Sequence, residues 1–355
     1  FISFVSYLVQ QSFDIQNVTR FIRYSFYLYL VIVSIKHFLR SYAIRALKFL
    51  SIIISMYIIA QVLFYNIFGI ILPFKILPIP LYRAIALEDV IRTASEYYFR
   101  AYGVFVEPGY AAQFLLPGLA FSLYGWTNCS VKKINIKSTI LIFVALIMTT
   151  SSQGIFLGLL AIVVYSVNRF KINKKYSDLL INIIIIIIIL SMFASLMYID
   201  IIERSINKVF GDIRPGSSVA LRIYRGFTVY SKLPMVYKVI GVGHGNLGNY
   251  VIDNSIVTKY DPPIMTEEVA DYVNGFSSVL LYYGVMGIVI LIVIYWSMLK
   301  STNGMYKIVV IIHIALNFVA GGMFNNLMLF YFAIIYSGCS IDLSRRKIIN
   351  RQICF

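Results

Sequence analysis

Charge is what this chain has least of. Asp, Glu, Lys and Arg make up 13% of its 355 residues, against roughly 25% in a soluble domain. Hydrophobic residues reach 60% and mean hydropathy is +0.82, which excludes a water-soluble globule. Acidic residues are scarcer still, 15 against 31 basic ones, for a net charge of +16. No basic domain separates from the apolar segments, so the excess does not indicate a nucleic-acid partner; cations of this kind gather in cytoplasmic loops and at anionic headgroups. Cys129, Cys339 and Cys354 have no metal-ligand spacing, and the topology below puts all three on or near the cytoplasmic side, so no disulfide is expected. There is no Gly-x-Ser-x-Gly elbow, no zinc spacing and no phosphate-loop motif, and the outer acidic residues lack a metal-site pattern. The roughly ten-residue alternation of a membrane barrel is missing as well. No signal peptide is visible; the chain opens on Phe1 inside an apolar stretch, which reads as the tail of one more span with an N-terminal piece missing.

What is there is a series of apolar runs, and a spanning helix needs about 20 such residues. Phe49–Leu72, Leu179–Ile199 and Phe276–Met298 qualify, with Tyr110–Trp126 at the short end. Shorter runs are Tyr24–Ile35, Ser138–Thr150, Ile155–Val167, Ile308–Val319 and Leu327–Tyr336. Basic clusters alternate with them: Lys36 to Lys48, Lys132 to Lys137, Arg169 to Lys175, Lys300 with Lys307, and Arg345 to Arg351. Placing all of these in the cytoplasm gives a consistent topology. The expected fold is an all-α polytopic membrane protein of about ten transmembrane helices, one integral membrane domain over 1–355. Two functional extracytoplasmic loops follow, 74–107 and 200–275.

The paired runs around Ser151-Ser152-Gln153-Gly154 form a hairpin entered from the cytoplasm. Its tip is either an ordinary tight turn or polar backbone held in a protein-lined cavity. The pair around Gly321–Asn326 repeats that geometry.

The outer loops hold the chemistry. The first contains Arg83, Arg92 and Arg100, then Glu107-Pro108 opening a helix. Pro108 suits a first helical turn, and Glu107 before it faces the positive helix end. Glu107 is thus a helix-start carboxylate or an ion-pair partner of Arg100, or else a base or hydroxyl-orienting group with Arg92 and Arg100 as anion clamps. In the large loop, Arg222 and Arg225 are three apart, which on an α-helix puts both on one face. Such a fork fits phosphate or diphosphate, although a solvated cationic face or headgroup contact gives the same pattern. Lys232 and Lys238 continue the basic character. Gly241, Gly243 and Gly245, with Asn246, frame a turn able to approach a ligand closely. His244 inside it is either structural or a proton relay.

These stretches resemble the O-antigen and surface-polysaccharide polymerases (Wzy-type), which share a superfamily with the O-antigen ligases. Arg100–Ala112 is similar to the family's aromatic-glycine segment followed by Glu-Pro, and Thr149–Gly154 to its Thr/Ser-rich hairpin tip, with Gln153 where the family often has Arg. Leu233–Asn246 and Asn274–Gly287 resemble its Gly-x-Gly turn and the helix after it, and the Arg92–Gly103 and Arg225–Gly241 spacings fit. The ligases typically have a His before the Asn that opens that helix; Val273-Asn274 stands here, which favours the polymerase.

The resemblance implies a bacterial cytoplasmic (inner) membrane enzyme with its site on the periplasmic face. It is expected to be a metal-independent glycosyltransferase with no cofactor. Its substrates would be undecaprenyl-diphosphate-linked oligosaccharide repeat units, with membrane lipids around it and a chain-length regulator protein as partner. The glycan would pass from one polyprenyl diphosphate to the non-reducing end of another lipid-linked unit. In that scheme Arg92, Arg100, Arg222 and Arg225 hold the diphosphate, while Glu107 or His244 orients or deprotonates the acceptor and Arg225 assists catalysis. Ligase-like transfer and a lipid-linked oligosaccharide flippase are the alternatives. A flippase needs ionisable residues inside spans, and the long runs contain almost none.

Overall fold

The computed structural model describes residues 19, 22–23, 25–31, 33, 40–72, 99–105, 107–126, 135–170, 215–216, 220–320 and 329–338. Every regular element among them is helical. Two helices, Tyr42–Phe68 and Gly275–Ser301, are long and apolar enough to cross a bilayer. Only 39% and 44% of their apolar windows are buried, so each leaves a broad apolar face uncovered, unlike the enclosed core helix of a soluble protein. The expected run 179–199, the opening 1–9 and the link 321–328 lie outside the described residues.

The chain divides into two compact units. One unit, 39–203 with 304–312, includes among its described residues the helices α1 (Arg40–Phe68), α2 (Pro108–Leu123), α3 (Ile136–Met148) and α4 (Ser152–Phe170). Helix α2 packs on the other three and is buried from Ala111 to Leu123 apart from Phe114. It can sit centrally because small residues let its neighbours close in: Gly118 meets Ser51 of α1, and Ala112 meets Gly154 of α4. Polar side chains add specific ties, Ser122 Oγ donating to Leu119 O and Thr139 Oγ1 to Ser122 Oγ at 3.0 Å.

Helices α3 and α4 form the expected hairpin. Thr149 Oγ1 donates to Leu146 O at 2.7 Å and Thr150 takes φ 52°, so the reversal occupies three residues, Thr149 to Ser151. Asn135 caps α3, its side chain accepting from Ser138 N.

The second unit, 1–38, 204–303 and 313–355, carries a π-helical turn (Ala220–Arg225) and the short helices α5 (Gly226–Lys232), α6 (Met235–Ile240), α7 (Leu247–Asp253) and α8 (Glu267–Ala270). These lead into α9 (Gly275–Ser301), and the unit boundary then runs through α10 (Met305–Val319) ahead of α11 (Leu329–Gly338). Asn274 caps α9 by accepting from Ser277 N at 2.7 Å.

Candidate functional site

Residues 220–274 of the polar segment before α9 form a folded subdomain built around one core. Val229, Leu233, Val242, Leu247, Val251, Ala270, Val273, Leu281 and Tyr282 form one buried cluster, and tyrosines 230, 237, 250 and 283 pack around it. Burying a side chain of this size contributes about 1.5–3 kcal/mol, so the cluster gives these six- and seven-residue helices the stability they lack in isolation.

The glycine-rich turn locks this subdomain onto α9. Helix α9 breaks at Gly284, with φ 64° and ψ −161°, which releases carbonyls from the helical ladder. Val242 N donates to Leu281 O at 2.8 Å and Gly243 N to Tyr282 O at 3.1 Å, so the turn takes them up. A side chain on Gly241 would overlap the Tyr282–Tyr283 backbone, and one on Gly284 would overlap Val239 O. Gly241, Gly243 and Gly245 all have positive φ, 77°, 87° and 76°. The close approach anticipated for this turn is therefore made to the α9 backbone. Asn246 is buried behind it, its amide donating to Val242 O at 3.4 Å.

Arg222 and Arg225 do not form an open fork. They lie in a π-helical turn, whose wider i→i+5 closure carries residues three apart off a common face. Arg225 is fully buried: Nε meets Asp261 Oδ1 at 2.6 Å and one terminal nitrogen donates to Ala270 O at 2.6 Å. Asp261 also accepts from Thr258 N at 2.5 Å, so the ion pair staples the 258–261 loop to the helical core. With its donors turned inward, Arg225 holds the subdomain together in this arrangement, in place of the expected outward grip on a diphosphate. Arg222 points elsewhere, donating to the Tyr272 hydroxyl with its guanidinium carbon 4.8 Å from that ring's centroid. It is half-buried, and its carbonyl accepts from Asn274 N.

His244 is buried between two tyrosines. Its Nδ1 is 2.9 Å from the Tyr283 hydroxyl, and its ring lies edge-on to Tyr282 at 5.2 Å. Tyr282 in turn donates to Asp271 Oδ1 at 3.1 Å. A hydroxyl, an imidazole and a carboxylate are thus gathered at the head of α9, just beyond Tyr272 and Arg222. Asp261, Asp271, Tyr272 and Tyr282 have no motif of their own in the sequence, whereas Tyr283 is the aromatic residue of the aromatic-Gly-x-x-Gly stretch within Asn274–Gly287. The Tyr250 hydroxyl, further out, is pushed upward by burial and then by Tyr237.

The other unit presents its own polar edge. Arg100 Nε donates to Thr150 Oγ1 at 3.0 Å, tying the first loop to the hairpin tip. Tyr102 beside it has its phenol pushed up to about 12 by burial, with the Arg100 charge acting in the opposite direction. Gln61, inside the apolar run of α1, clasps Gly103 twice: Nε2 to Gly103 O at 3.1 Å and Oε1 from Gly103 N at 2.8 Å. Glu107 occupies the cap position of α2 with extended backbone, Pro108 following in the first turn, and its carboxylate makes no cap bond. It is exposed, and no ion pair joins it to Arg100. Gln153 lies against Gly109. Arg92 lies outside the described residues.

A titratable residue within an apolar helix also escaped the sequence reading. His313 of α10 is fully buried. Asn317 donates both to His313 O and to the Tyr295 hydroxyl at 2.8 Å, which fixes its amide orientation. Tyr295 is left to donate to His313 Nδ1, also at 2.8 Å, and that bond sets the imidazole tautomer with its proton on Nε2.

Among the described residues no three His, Cys, Asp or Glu side chains are grouped as a metal site. No protein-family model, no curated protein and no solved structure matches the chain.

Proposed function

We propose that the chain is a membrane-embedded glycosyltransferase that polymerises polyprenyl-diphosphate-linked repeat units. The observation that carries this reading is the polar cluster at the head of α9. His244, Tyr282 and Asp271 are held there by a subdomain whose backbone is bonded to the helix itself. A glycosyl transfer asks for that kind of rigidity, because its leaving group is already good. The acceptor hydroxyl must be placed in line with the anomeric carbon and charge on the departing diphosphate must be met by a fixed cation. The new C–O bond forms as the bond to the diphosphate oxygen breaks, and the acceptor proton passes to a protein base.

The geometry redistributes the roles. Arg222 is the cation that this unit offers the diphosphate, since it is only half-buried. Arg225 acts by positioning the subdomain. His244 is the base that this unit offers the acceptor hydroxyl.

The second reading is a flippase for the same lipid-linked oligosaccharides, favoured by the buried His313 within α10. One imidazole paired with a tyrosine does not line a path, which ranks this reading second. Proteoliposomes loaded with lipid-linked repeat separate the two. New glycosidic bonds on one leaflet support the transferase, and movement of unchanged substrate between leaflets supports the flippase.

A further inference from the structure

Helix α6 is only six residues long, yet it has no buried residue. Met235 is 75% exposed and Val236 55%, and Val239 is exposed beside them, so this side of the subdomain presents an apolar edge. Lys232 precedes the helix and Lys238 lies within it. An edge of this composition on a water-facing loop would be a liability.

Its position on α9 supplies the explanation. Before Gly284, α9 is largely covered, with Ser277, Ser278, Val279, Leu281 and Tyr282 all buried. From Val285 onward an apolar stripe is open, including Met286, Val289, Val293 and Trp296. The end of α6 meets α9 where covering gives way to exposure, since Val239 abuts Gly284. The exposed edge of α6 thus ends beside the point at which the α9 stripe begins.

Depth follows from the far end of α9. Lys300 lies over the Trp296 ring at 4.8 Å, an aromatic–lysine pair of the kind that marks a membrane interface. Counting back about 30 Å of hydrocarbon at about 1.5 Å per residue reaches about residue 280. Gly284, four residues further in, then lies about 6 Å below the opposite boundary. Amphipathic helices that lie along a bilayer bury their apolar face by about 5–10 Å.

We propose that α6 lies in the outer bilayer interface, with Met235, Val236 and Val239 among the acyl chains and Lys238 directed to lipid phosphates. This rests on the reading that α9 crosses the membrane. The segment between the spans is then partly immersed, and the turn carrying His244 begins at the lipid surface, where the head of a polyprenyl diphosphate would lie.

The test uses single-tryptophan proteins in phosphatidylethanolamine–phosphatidylglycerol vesicles. These contain a phosphatidylcholine brominated near the top of its acyl chains. W126F leaves Trp296 as the reference for α9; W126F/W296F/M235W and W126F/W296F/V236W report on α6. All three replaced positions on α6 and α9 are exposed, so the fold tolerates them. The M235W and V236W indoles are expected to emit blue-shifted light and to be quenched several-fold more by brominated lipid than by aqueous iodide. If Trp296 is quenched by lipid while both α6 indoles respond only to iodide, the placement of α6 is overturned and the span stands. If Trp296 also escapes the lipid quencher, the membrane reading of α9 falls and the inference with it.

Discussion

Replacing Arg225 by Met keeps an unbranched apolar stem in the core and removes every donor. Asp261, with 6% side-chain exposure, is left as a buried carboxylate without its cation, and Ala270 O loses its partner. Breaking one side of a buried ion pair typically costs about 3–5 kcal/mol. The loss falls on the subdomain, since all Arg225 contacts lie within 261–270. The sensitive probes are the amides of Val242 and Gly243, which bond to the broken helix α9. Hydrogen exchange there should accelerate about a hundredfold or more in Arg225→Met, because each 1.4 kcal/mol is about a factor of ten. Asp261→Asn should produce a smaller loss. The double variant should fall short of the summed losses by about 0.5–3 kcal/mol, as expected for residues in direct contact. Unchanged protection in Arg225→Met would refute the stapling role and return Arg225 to the pool of free anion-binding cations.

Other expectations follow from the same contacts. Gly284→Ala forces a side chain into Val239 O at φ 64° and ψ −161°, where the conformation alone costs about 1–3 kcal/mol; thermal unfolding should show a larger loss than for Gly287→Ala in the same helix. Gln61→Leu orphans the N–H and C=O of Gly103, each worth about 1–3 kcal/mol when buried, so the first loop should become protease-sensitive, with Gln61→Glu intermediate. Arg222→Ala should leave exchange protection at Val242 near wild type and lower polymer formation by about 100-fold, the scale for losing one preorganised charge-stabilising donor; normal ladders would remove Arg222 from the site.

The long elements were legible because their signals are local. The α3–α4 hairpin is marked by two apolar runs around Ser-Ser-Gln-Gly, and α9 by one unbroken run after Asn274. The subdomain was not legible as a fold. Its helices are shorter than the windows over which periodicity is read, and Pro234 and the glycines punctuate them like loop sequence. The common face expected for Arg222 and Arg225 fails for a related reason, because a π-helical turn and an α-helical one look alike in sequence. Arg225 meets Asp261 across 36 residues, and no pattern in one chain ties those positions. The glycine turn announced a close approach, but its partner is backbone in α9, which has no sequence signature. Gln61 and His313 were hidden for the opposite reason: a single polar residue scarcely changes the hydropathy of a long apolar run.

The most direct measurement of the central claim is the product balance of the purified protein supplied with lipid-linked repeat and a metal chelator. A metal-independent polymerase should give a ladder of lengthened glycans, releasing one polyprenyl diphosphate for each new glycosidic bond. Intact substrate after prolonged incubation, or lipid released without any lengthened glycan, would contradict it.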